Sequence, residues 1–120
     1  MSKILVILED DHCVVNTLCL VSKKNGFQPF CFPCVEELVN NIDILKLVDL
    51  FVTDFNLNDS NIIPLLKEME KKDIRPYTVL YSGNPDAIKE IKRYGLDSLI
   101  TTVLDKNENF NIFLENLNKN

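Results

Sequence analysis

Two short apolar runs end in carboxylates, and this pattern restricts the fold more than any other feature of the chain. Ile4-Leu5-Val6-Ile7-Leu8 gives way to Glu9-Asp10-Asp11, and Leu50-Phe51-Val52-Thr53 gives way to Asp54. A run without polar alternation has no face to turn toward water. It must be covered on both sides, as the interior strands of a parallel sheet are. In open α/β sheets, ligands collect beyond the carboxyl ends of the strands, near the point where strand order reverses. Both acid clusters fall at such ends. If the two strands are neighbours, the carboxylates share one pocket, where like charges raise one another's pKa unless a cation joins them. Mg2+, a hard cation that prefers oxygen ligands, is the simplest candidate.

The rest of the chain alternates strand with helix. Strands are expected at about 3–8, 27–32, 49–53, 77–81 and 98–102, and helices at about 11–24, 35–41, 61–71, 84–94 and 108–117. Val14, Leu18 and Val21 form the apolar stripe of the first helix, with Val15 beside them. Asn25-Gly26 stops that helix. Pro29 cannot donate to a ladder, so the second strand belongs at an edge. Ile62, Leu65, Leu66 and Met69 face inward from the third helix. Asn84 as cap and Pro85 in the first turn start the fourth helix, and Tyr94-Gly95 ends it. Five such units predict a three-layer α/β sandwich with right-handed crossovers.

The 120 residues suffice for one domain, spanning 1–120. A net charge of −5 removes the broad basic footprint of a nucleic-acid binder. No apolar run approaches the roughly 20 residues of a membrane helix. Met1-Ser2-Lys3 leads into a strand without a signal-peptide pattern, so a cytoplasmic location is the default expectation. With 46% hydrophobic residues the chain can build a core without bridging Cys13, Cys19, Cys31 and Cys34. Cys13 and Cys19 read as small apolar residues of the first helix.

The order of these motifs resembles the receiver domain of two-component response regulators. Residues 3–11, ending in Glu9-Asp10-Asp11, resemble its opening. Asp49-Leu50-Phe51-Val52-Thr53-Asp54-Phe55-Asn56-Leu57 resembles its phosphoacceptor strand and loop. Val79-Leu80-Tyr81-Ser82-Gly83 resembles its fourth strand, and Tyr94-Gly95-Leu96-Asp97-Ser98 its turn into strand five. The resemblance implies a flavodoxin-like fold with strand order 2-1-3-4-5, which makes strands one and three neighbours. It also implies that Asp54 accepts a phosphoryl group from a histidine kinase or phosphotransfer protein. Asp10 and Asp54 would bind Mg2+ directly, the Asn56 carbonyl would add a ligand, and Glu9 would act through a water. Ser82 would donate its hydroxyl to the phosphoryl group, with Gly83 leaving the approach open. The domain would signal to a downstream effector protein, and the face made by helix four, strand five and helix five, which commonly dimerises in the family, would offer a homodimer surface. Its own chemistry would be limited to self-phosphorylation and autodephosphorylation.

Three departures bear on that reading. Aligned from Gly95, the family's lysine after strand five is here Thr102, followed by Val103 instead of Pro. Lys106, four residues on, reaches back only if strand five runs longer. The switch aromatic becomes Leu99. After Asp54, Asn58 and Ile62 replace the usual Pro and Gly, so the loop from Phe55 to Asn61 should take a different path. The expectation is Mg2+ binding with weakened phosphorylation and an impaired switch.

Other readings attach to the same residues. A pseudo-receiver keeps the fold as a phosphorylation-independent interaction module. Cys31-Phe32-Pro33-Cys34 looks like a thioredoxin-type redox motif, although such proteins have a mixed sheet. A haloacid-dehalogenase-type phosphatase wants Asp two residues after the nucleophile, where Asn56 stands. Zinc would need ligands beyond the two cysteines. Asp11 reads as a helix cap, and His12 as an exposed residue of the first turn.

Overall fold

A computed structural model describes residues 3–119; Met1, Ser2 and Asn120, and with them the reading of the amino terminus, lie outside it. Its elements are β1 (Lys3–Leu8), α1 (His12–Lys24), β2 (Phe27–Phe32), α2 (Val35–Asn40), β3 (Leu50–Thr53), α3 (Ile63–Lys71), β4 (Thr78–Ser82), α4 (Ala87–Arg93), β5 (Thr102–Asp105) and α5 (Phe110–Asn118). Short 3-10 turns occupy Ile42–Lys46 and Asp97–Leu99. The strands form one sheet in the order β2-β1-β3-β4-β5, every pair parallel. This is the expected flavodoxin-like sandwich, and β1 and β3 are neighbours.

Strict alternation along the interior strands divides the core in two. Leu5, Ile7, Leu50, Val52 and Val79 pack with Leu18 of α1 and with Phe110 and Leu114 of α5. Val6, Leu8, Phe51 and Leu80 face the other way, onto α2, α3 and α4. The expected inward residues of α3, namely Ile62, Leu65, Leu66 and Met69, are fully buried. On α1 only Leu18 of the expected stripe is fully buried, together with Ser22. Asp11 caps α1 as expected, accepting from the Cys13 and Val14 N–H groups at 2.9 and 3.4 Å. Pro29 lies in β2, paired only along its β1 side, at the edge.

The last third of the chain departs from the sequence reading. Asn84 does not cap α4: its Oδ1 accepts from the Asp86 N–H at 2.9 Å in a separate turn, and the helix begins at Ala87. β5 begins at Thr102, where the sequence expected it to end. Gly95 takes φ +70° at the end of α4, a left-handed conformation that favours glycine. Leu96 and Leu99, one helical turn apart, are then both buried against the α4 side of the core. That burial draws Asp97–Leu99 into a 3-10 turn, and pairing with β4 starts only where the Thr101 N–H donates to the Thr78 carbonyl at 2.8 Å.

Candidate functional site

The register of the sheet sets which residues share its carboxyl edge. Leu8 pairs with Thr53, Thr53 with Leu80, and Ser82 with Asp105. The residues that follow each strand end therefore meet on one rim: Glu9 after β1, Asp54 after β3, Ser82 at the end of β4 and Lys106 after β5. The Lys106 ammonium lies 2.8 Å from Asp54 Oδ2 and 3.1 Å from Glu9 Oε2. Asp54 Oδ1 accepts from the Phe55 N–H at 2.7 Å, and Glu9 Oε1 from the Asp11 N–H at 3.2 Å. Ser82 Oγ accepts from the Asn84 N–H at 3.1 Å. Asp10 is half-buried and Asn56 exposed. His12 is exposed, as expected.

Thr102 therefore lies away from the rim. It opens β5 opposite Val79, well below the rim, and its hydroxyl pairs with the Tyr77 hydroxyl at 2.9 Å. The later start of β5 carries Lys106 to the rim instead, and the residue three before it is Val103, half exposed, instead of Leu99, which is buried in the core. The Tyr81 hydroxyl donates to the Lys106 carbonyl at 3.2 Å and steadies the backbone that presents the ammonium.

The electrostatics follow from this geometry. Burial raises the Glu9 carboxyl above its ordinary range; the Asp54 charge adds to that, while the Asp11 N–H and Lys106 offset only part of it. Burial pushes Lys106 down, but the hydrogen bond and charge of Asp54, and then those of Glu9, outweigh it and hold the ammonium above the usual lysine range. Burial also raises the Tyr81 phenol. Among the described residues, no three Asp, Glu, His or Cys side chains stand together as a metal-holding group. The expected donors, Asp10, Asp54, Glu9 and the Asn56 carbonyl, are hard oxygens suited to Mg2+ in kind.

Backbone hydrogen bonds close the loop after β3 on itself. The Leu57 N–H donates to the Ser60 carbonyl and the Ile62 N–H to the Phe55 carbonyl, each at 2.9 Å, with Phe55 and Leu57 buried beneath. At its tip, Asp59 reaches over to α2 and accepts from the Val35 and Glu36 N–H groups, both at 3.0 Å. These bonds hold its carboxyl below the usual range. The sequence reading passed over Asp59. Its only signal is a negative one, since Cys34 at the start of α2 caps nothing with its own side chain. The thioredoxin-type reading fails on fold, because the sheet is wholly parallel, and on partners, because the Cys31 thiol faces Cys19.

No protein-family model matches the chain. It is 27% identical over 107 residues to the cell cycle transcriptional regulator CtrA of Caulobacter vibrioides, in strains NA1000 and ATCC 19089 alike. That alignment covers 86% of this chain but only 45% of the relative, so the chain spans about half the length of the curated proteins it matches. Among solved structures, a CheY-like response regulator receiver domain from Methanospirillum hungatei superposes with a TM-score of 0.79 at 16% identity, covering 99% of this chain and 93% of that one. The receiver domain of Francisella response regulator 1452 gives 0.80 at 20% identity, covering 98% and 95%. The beryllofluoride-activated receiver domain of DrrB gives 0.76 at 13% identity, covering 99% and 97%. In fold, over nearly its whole length, the chain resembles the response regulator receiver domains of two-component signalling.

Proposed function

We propose that this chain is a phosphoryl-accepting receiver domain with Asp54 as the acceptor. The observation that carries the reading is the Lys106 ammonium bridging Asp54 and Glu9, at 2.8 and 3.1 Å, on the carboxyl edge of a 2-1-3-4-5 sheet. The donor would be a phosphohistidine on a histidine kinase or phosphotransfer protein. A carboxylate oxygen of Asp54 attacks phosphorus, the N–P bond breaks as the O–P bond forms, and the released imidazole takes up a proton. Such transfer is mostly positioning and charge neutralisation. Lys106 supplies positive charge at the acceptor oxygen. Ser82 Oγ, accepting from Asn84, keeps its hydrogen for a phosphoryl oxygen. Asp10, Asp54 and the Asn56 carbonyl would hold Mg2+, with Glu9 acting through a water; when bound, the ion adds neutralisation beside Lys106. Exposed Val103 and Ile112 favour a protein-facing output surface on β5 and α5, toward an effector or a second copy. With no ring at position 103, an aromatic switch has no side chain to work through, and the impaired switching expected from the sequence rests on that alone.

The test is a titration of Mg2+ and beryllofluoride against the wild type, Asp54→Ala and Lys106→Ala. A saturable spectral change in the wild type, lost in Asp54→Ala and weakened in Lys106→Ala, supports the reading. The same change in Asp54→Ala, or none in the wild type, overturns it. The Lys106 ammonium already paired with both Asp54 and Glu9 favours one second reading, a pseudo-receiver whose pocket is neutralised by Lys106. It predicts no response to the mimic and partner binding unaffected by Asp54→Ala.

A further inference from the structure

Away from the acid pocket, α1 and β2 bring two thiols together. Cys19 Sγ lies 3.2 Å from Cys31 Sγ. Cys31 pairs with Ile7 in the register, on the sheet face that packs against α1. Cys31 is exposed and Cys19 half-buried, so a small oxidant reaches the pair from solvent. The other two thiols, Cys13 and Cys34, have no sulfur partner among the described residues. We infer that Cys19 and Cys31 form a reversible disulfide that staples α1 to the edge strand β2. This stands apart from the phosphoacceptor reading and does not depend on it.

The oxidant is a small-molecule disulfide such as oxidised glutathione. One protein thiolate attacks a glutathione sulfur, forming a mixed disulfide and expelling one glutathione thiolate, which takes up a proton. The neighbouring protein thiol loses its proton to solvent and attacks the protein sulfur of that mixed disulfide. The second glutathione leaves, so one protein dithiol becomes one disulfide and one glutathione disulfide becomes two thiols. The thiolate is the reacting form. Burial, and then Cys19, push the Cys31 thiol up to about 12, so closure should accelerate as pH rises. In a reducing compartment such a bond is transient, opening and closing with the thiol pool.

The full chain is incubated with oxidised glutathione under native conditions, remaining thiols are alkylated, and linked peptides are mapped by mass. The expected product is a Cys19–Cys31 bond with Cys13 and Cys34 alkylated, a higher Tm than the reduced protein, and faster closure at higher pH. Cys34→Ser should retain the bond; Cys19→Ser and Cys31→Ser should each lose it. A Cys31–Cys34 bond would overturn the inference. So would glutathione adducts without closure, or no bond in a chain whose far-UV spectrum shows it folded.

Discussion

Lys106 governs the acid pocket, and its role was only half legible in the sequence. The carboxylates at Glu9 and Asp54 follow directly from apolar runs that end in acid. The cation between them depends on where β5 starts, which the run Ser98-Leu99-Ile100-Thr101-Thr102-Val103-Leu104 leaves open. Lys106→Ala should therefore weaken labelling of Asp54 by a phosphoryl donor several-fold while leaving the far-UV spectrum intact, whereas Thr102→Ala should leave labelling near wild type. Labelling assays on the two variants decide it. Glu9 gives a pH prediction. Its folded pKa is raised, so the stability it contributes is full below the ordinary carboxyl value of 4.5 and is lost as pH rises through the raised value. Near neutral pH, Glu9→Gln should accordingly be at least as stable as the wild type, and its stability should fall less between pH 4.5 and neutrality. Denaturant midpoints along that range check it. The raised Lys106 acts on the same sign: its contribution is present at neutral pH and is lost only as pH climbs through its folded value, above the ordinary 10.5.

Among the elements, α2 and β5 show how tertiary packing overrides local signals. α2 starts at Cys34 without a side-chain cap of its own, and Asp59 from the β3–α3 loop serves it across space. Nothing in the neighbouring sequence of α2 announces this, because the cap lies 24 residues from Val35. Asp59→Ala should cost about 1 kcal/mol, the usual worth of an N-cap, and should speed amide hydrogen exchange at Val35 and Glu36. β5 differs from the sequence expectation by its register, and single substitutions report that register. Leu104 is buried on the α1–α5 side and Val103 is exposed. Leu104→Ala should cost about 3 kcal/mol by cavity formation, and Val103→Ala about 0.5 kcal/mol or less. Urea unfolding of the pair separates this register from a strand that ends at Thr102.

Across the whole molecule, one sheet carries both halves of the core. Val6 and Leu8 serve one layer, Leu5 and Ile7 the other, all on a single strand. Neither layer can melt without exposing the back of the other, so unfolding should be a single cooperative transition. Leu65→Ala on α3 and Leu114→Ala on α5 should each lower stability by about 3 kcal/mol. Both should shift the far-UV and tyrosine signals together; separate midpoints would contradict a shared core. Among the described residues no helix is long and apolar enough to cross a membrane. The amino-acid sequence alone determined the strand–helix alternation, the edge position of β2, the Asp11 cap and the two acid clusters. Each is written in local periodicity or in a residue next to the element it controls. Only the tertiary structure decided the start of β5, the lysine in the pocket, the Asp59 cap on α2 and the pairing of Cys19 with Cys31. Those depend on which distant segments share a surface, and burial of side chains such as Leu96 and Leu99 sets that through packing, at ranges no local pattern encodes.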